Sequence, residues 1–174
     1  MHRSAWILFV GLLLGCAVTP AKTYDFNPVA NIDSDYEKVW AAVIEYFVVS
    51  ELPIEMIQKD SGLIVTEWMN AGDETGQMEN RTICDCGPSY AHTVLPWTRG
   101  RFSVFVRRLD DGSCDLRVTC TYQQYRASDQ GGRGEVVGCN STGGLEKAVQ
   151  DYVLAKVRGS ALPQVQVFKP GKAD

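Results

Sequence analysis

Two stretches of the chain place apolar residues at three- and four-residue steps. In the first, Tyr36, Val39, Trp40, Val43, Ile44 and Phe47 draw one stripe and predict a helix ending near Val49, ahead of Pro53. Ser34-Asp35-Tyr36-Glu37 has the form of a capping box that would start it at Ser34. In the second, Leu145, Ala148, Val149, Tyr152, Val153 and Val157 form the stripe, with Ser141 or Thr142 as cap, Glu146 in the first turn, Lys156 and Arg158 in the last and Gly159 as the stop.

Between them the period changes to two. Ile54 to Gln58 and Leu63 to Trp68 read as strands joined at Lys59-Asp60-Ser61-Gly62. Arg101 to Leu109 alternates with Phe102, Val104 and Val106 on one face, and Asp110-Asp111-Gly112-Ser113 turns the chain into Cys114 to Tyr125. There Leu116, Val118, Cys120 and Tyr122 face one way, and Arg117, Thr119, Thr121 and Gln123 the other. The order of helix, four strands, helix predicts an α+β two-layer domain over 31–160, its antiparallel sheet of four or slightly more strands covered on one face by the two helices. A tail, 161–174, follows. Asn70 to Gly100 and Arg126 to Asn140 are long for simple connections, and loops of such length are usually functional or covalently stapled.

The first fifteen residues follow neither pattern. Arg3 precedes an apolar run from Ala5 to Leu14, too short to span a bilayer, and the run ends at Leu13-Leu14-Gly15-Cys16. Those four residues resemble the bacterial lipobox, which implies a signal peptide over 1–15, cleavage before Cys16 and lipid, palmitate included, on its thiol. Two or three acyl chains anchor durably where one does not. Ala17, in place of the Asp that holds such proteins at the inner membrane, implies sorting to the outer membrane with the domain facing the periplasm. Residues 16–30, with Thr19-Pro20-Ala21-Lys22-Thr23 and Asn27-Pro28, read as a flexible tether. The formal charge of −4 falls to −5 once Arg3 leaves, 16 basic residues against 21 acidic, which argues against a nucleic-acid partner.

The helix start Tyr36-Glu37-Lys38-Val39-Trp40, the hairpin Ser61-Gly62-Leu63-Ile64-Val65-Thr66-Glu67-Trp68 and Cys139-Asn140-Ser141-Thr142-Gly143-Gly144-Leu145-Glu146 together resemble the helix-grip domains of BamC-like lipoproteins, over roughly Asp33 to Val157. The chain has room for one such domain where BamC carries two. The resemblance implies a helix-grip fold and an accessory, non-catalytic role in outer-membrane assembly, with an envelope protein as partner and the membrane engaged through the anchor.

Five cysteines remain after Cys16, an odd number for an oxidising compartment, where disulfides are the default. Cys84 and Cys86 lie too close in sequence to favour each other, so one of them is expected to reach Cys139. Cys114 and Cys120, about 20 Å apart along one strand, cannot bridge and stand as free-thiol candidates. Zinc held by Cys84, Cys86, Cys139 and His92 ranks below the disulfide, because Cys-x-Cys is unlike the usual structural spacing and exported thiols oxidise first. His92 has no nucleophile motif beside it, and Gly131-Gly132-Arg133-Gly134 lacks the Lys-Ser/Thr of a phosphate loop, so neither an enzyme nor a cofactor is expected. The alternative to an interaction module is a carrier of a hydrophobic ligand or lipid in a cavity lined by Trp40, Phe47, Phe102, Tyr122 and Tyr152.

Overall fold

A computed structural model of the chain describes residues 20–71, 83–89 and 93–165. The leader 1–15, the lipid-attachment candidate Cys16 and His92 lie outside these residues, as does most of the tail. In chain order the described elements are β1 (Val29–Ile32), α1 (Tyr36–Val49), β2 (Ile54–Gln58), β3 (Leu63–Thr66), β4 (Met69–Asn70), β5 (Cys84–Asp85), β6 (Thr93–Arg108), β7 (Cys114–Ser128), β8 (Glu135–Ser141) and α2 (Gly144–Arg158).

The expected four-stranded helix-grip sheet is overturned. Among the described residues eight antiparallel strands form the sheet, ordered β2-β3-β6-β7-β8-β5, with β1 paired to β7 and β4 to β6. Two strands dominate it, β6 with 16 residues and β7 with 15, registered from Arg108↔Cys114 to Thr93↔Ser128. The expected strand from Arg101 is therefore only half of β6. A register shift between Val94 and Trp97 interrupts the ladder where Pro96 falls, a position at which proline, having no amide to donate, is tolerated in a strand. Beyond Tyr122, β7 leaves β6 as its only long partner, and β8 fills the other side with Tyr122↔Cys139 and Gln124↔Val137.

Both helices form where the apolar stripes predict. Asp35 rather than Ser34 caps α1, its carboxylate accepting from the Lys38 amide at 3.0 Å. No side chain caps α2; Gly143 enters it at φ 80°, and Gly159 ends it at φ 67°. Val39, Val43 and Phe47 of α1 and Val149, Tyr152 and Val153 of α2 close over Phe102, Val104, Val106, Leu116 and Val118, all buried. Tyr46 meets Tyr152 edge to face at 5.3 Å, and Glu45 accepts from both Tyr152 (3.1 Å) and Lys156 (2.6 Å).

Of the stretch read as tether, residues 20–28 run along the domain. Asn140 Nδ2 donates to the Ala21 and Lys22 carbonyls, Gln150 Nε2 to that of Asn27, and the Val118 amide to that of Pro28.

The β2–β3 turn tests the fit of backbone to backbone. Gly62 has φ +72°, and its carbonyl accepts from the Val106 amide of β6 at 2.8 Å; a Cβ at Gly62 would lie 2.0 Å from the Val106 carbonyl oxygen. Gly112, in the β6–β7 turn, has φ +86° and open space. Gly62→Ala is expected to cost about 2–4 kcal/mol, combining left-handed strain with a broken sheet contact, and Gly112→Ala only about 1–2. Urea unfolding of the two variants measures both; equal losses would mean that Gly62 is not held against β6.

Candidate functional site

Strand alternation gathers the cysteines. On β7, Cys120, Tyr122 and Gln124 share the inward face. Tyr122 is registered with Cys139 of β8, and β5 pairs with the far side of β8 through Cys84↔Ser141 and Asp85↔Asn140, which carries Cys86 to a place opposite Cys139. A Cys86–Cys139 disulfide closes that pair, Cα–Cα 4.1 Å, across 53 residues of sequence. Of the two partners left open for Cys139, Cys86 takes the bond. Cys84, Cys114 and Cys120 are free thiols.

Cys84 nevertheless stays close. The sulfurs of Cys84, Cys86 and Cys139 all lie within 4.8 Å of one another, so the three cysteines of the zinc reading do converge, two of them joined covalently. Ala71, Ile83 and Tyr122 cover them in a second, smaller core. Arg126 fastens this segment, its guanidinium donating to the carbonyls of Cys86, Gly87 (3.2 Å) and Pro88 (3.2 Å), while Asp85 accepts from the Gly87 amide at 2.7 Å and from the Tyr24 hydroxyl at 3.3 Å.

Burial, with Asp85 adding to it, pushes the Cys84 thiol up to about 11. Cys120 is driven well up by burial and by the Glu146 carboxylate beside it, and burial raises Cys114. Tyr122, its hydroxyl buried, is held neutral by burial and by neighbouring Cys120 and Glu146. Glu146, 1% exposed in the first turn of α2, accepts from Ser141 Oγ at 2.9 Å. Burial therefore keeps the thiols of Cys84, Cys114 and Cys120 protonated at neutral pH and slows any attack they make.

The outward face of the sheet is built differently. Both helices lie on the inward face, and among the described residues no helix covers the other. There Trp97 of β6 stacks on Tyr125 of β7 with ring centres 5.6 Å apart. The Arg99 guanidinium sits 4.7 Å from the Trp97 ring and 4.6 Å from that of Trp68, and it donates twice to Gln123 Oε1, at 3.1 and 2.9 Å. Further along the same face are Arg101, paired with Glu55; Arg107, paired with Asp115; and Arg117, exposed. The ion pair with Arg107 holds Asp115 below the usual carboxylate range. Sequence reasoning missed Trp68, Trp97, Arg99 and Tyr125. Their signal was the alternation Trp97-Thr98-Arg99 within a stretch read as loop.

No family model and no curated protein matches this chain. Its chemistry therefore rests on its own residues. The aromatic residues named as a cavity lining, Trp40, Phe47, Phe102, Tyr122 and Tyr152, are 1–6% exposed and packed into the two cores. A cleft of about 230 Å³, between Tyr46, Lys147, Asp151, Tyr152 and Val165, shares only Tyr152 with that set and is smaller than the ~300 Å³ at which ligand pockets begin.

Replacing Cys86 and Cys139 together by Ala removes a constraint on the unfolded chain and is expected to cost about 2–4 kcal/mol. An unchanged urea midpoint relative to the unreduced parent would show that the bond does not stabilise the domain.

Proposed function

We propose that the protein is an exported bacterial lipoprotein, anchored at the outer membrane through lipid on Cys16, and that its folded part is a non-catalytic interaction module for another envelope protein. The observation that carries the module is the outward sheet face. Half-buried Trp68, Trp97 and Tyr125 flank a guanidinium already oriented by Gln123, and aromatic residues with arginine are the types that dominate protein-binding hot spots. They sit in a row of arginines on a chain whose net charge is −4, which favours a partner presenting acidic side chains to this face. Such a role agrees with the resemblance to BamC-like accessory lipoproteins. The Cys86–Cys139 disulfide suits an oxidising compartment.

Two measurements test the reading. Labelled palmitate should enter the parent and be absent from Cys16→Ser, which should also lose membrane retention; equal labelling would defeat the anchor. Photo-crosslinkers placed at Thr121, opposite Arg101, and at Thr119, opposite Ser103, both exposed on the outward face, should capture one envelope protein, and Trp97→Ala or Arg99→Ala should cut that capture tenfold or more, as loss of a hot spot of ~1.4 kcal/mol or above does. Capture that ignores both substitutions would move the interface elsewhere.

A further inference from the structure

Cys84 stands as a third sulfur beside a closed disulfide. It lies two residues before Cys86, and its Sγ is within 4.8 Å of both bonded sulfurs, so the three sulfurs meet on one side of the segment. Cys139 now sits opposite Cys86, and Cys84 opposite Ser141. Sliding β5 along β8 by two residues would bring Cys84 opposite Cys139. A slide of two, unlike a slide of one, returns every side chain to the face it left.

We propose that the Cys86–Cys139 disulfide is exchangeable and that Cys84 is the internal thiol that attacks it, so that Cys139 is linked alternately to Cys86 and to Cys84. In the step, the Cys84 thiol gives its proton to solvent base and the thiolate attacks Cys139 Sγ in line with the existing bond. The Cys84–Cys139 bond forms as the Cys139–Cys86 bond breaks, and Cys86 leaves as a thiolate and takes a proton from solvent. One thiol and one disulfide exist before and after, and no electrons enter or leave.

Attack on Cys86 instead would join two residues of one strand. Their Cβ atoms, separated by two strand rises of about 3.3 Å each, exceed the ~3.5–4.5 Å that a disulfide spans. Cys139 is thus the sulfur with a workable geometry. Burial keeps external thiols away from Cys84, which leaves an internal partner.

Few contacts oppose the slide. Among the described residues two registered pairs join β5 to β8, and the other fasteners are the Thr142 amide on the Ile83 carbonyl at 3.0 Å, the Arg126 guanidinium on the Cys86, Gly87 and Pro88 carbonyls and the Tyr24 hydroxyl on Asp85. The raised Cys84 thiol makes exchange slow at neutral pH, with the thiolate fraction rising about tenfold per pH unit until near pH 11. This inference is independent of the anchor and of the outward face.

The test uses the full chain, oxidised and purified, incubated at pH 7.0 and 9.5, quenched with acid, alkylated and cleaved before Asp85, which separates Cys84 from Cys86 for mass spectrometry of the linked peptides. A Cys84–Cys139 peptide should appear, about three hundredfold faster at the higher pH, faster again in Arg126→Ala, and not in Cys84→Ser. In Cys86→Ser, oxidation with glutathione disulfide should join Cys84 to Cys139. The proposal is overturned if the parent holds only Cys86–Cys139 after prolonged incubation at pH 9.5. A folded Cys86→Ser protein that keeps both thiols open to alkylation overturns it equally, and should that variant not fold, the parent experiment decides alone.

Discussion

β6 and β7 hydrogen-bond to each other along nearly their whole length, and the register they fix determines where almost everything else goes. One parity of that ladder, through Phe102, Val104, Val106, Leu116 and Val118, becomes the floor on which both helices settle. The opposite parity, through Trp97, Arg99, Arg101, Gln123 and Tyr125, becomes the outward face. Because side chains alternate strictly, a slip of one residue in this pairing would turn one strand over relative to the other, and on β6 that would bury Arg99, Arg101 and Arg107. Gly100 marks how closely the register is set: a Cβ there would lie 2.8 Å from the Tyr122 ring. The remaining strands attach to this pair at its edges, and β8 brings Cys139 beside Tyr122 only because Tyr122 is already placed.

Polar groups divide along the same parity, with different consequences. Outward arginines pair with Glu55 and Asp115 in contact with water, where such pairs contribute ~0–1 kcal/mol each and serve orientation more than stability. Inward, Thr98 accepts from Gln124 at 3.2 Å and Thr66 from the Phe102 amide at 2.9 Å, bonds that cancel the cost of burying those groups. Where the inward face runs out of aliphatic residues it turns to sulfur, carrying Cys120, Cys139, Cys84 and Cys86 in place of further Val or Leu. Cysteine packs as a small hydrophobe there, and raised thiol pKa values follow from that packing.

Much of this was legible because its signals are local. The stripe of α1 and α2, the Asp60–Gly62 and Asp110–Gly112 turns and the alternation of β7 are properties of short windows, and the helices and both hairpins lie where those windows place them. The size of the sheet was not, since β1, β4 and β5 have only two to four residues and owe their existence to a partner edge rather than to their own composition. Pro96 and the polar composition of Asn70 to Gly100 hid the first half of β6, and with it Trp97 and Arg99. Choosing Cys86 over Cys84 required the β5–β8 register, a relation between segments more than fifty residues apart.

The hydrogen bonds from Asn140 to Ala21 and Lys22 bear on how the domain would stand at a membrane. With the chain fastened from Ala21 onward, lipid on Cys16 would leave a leash of five residues, at most about 18 Å when fully extended. A leash that short restricts rotation as well as distance.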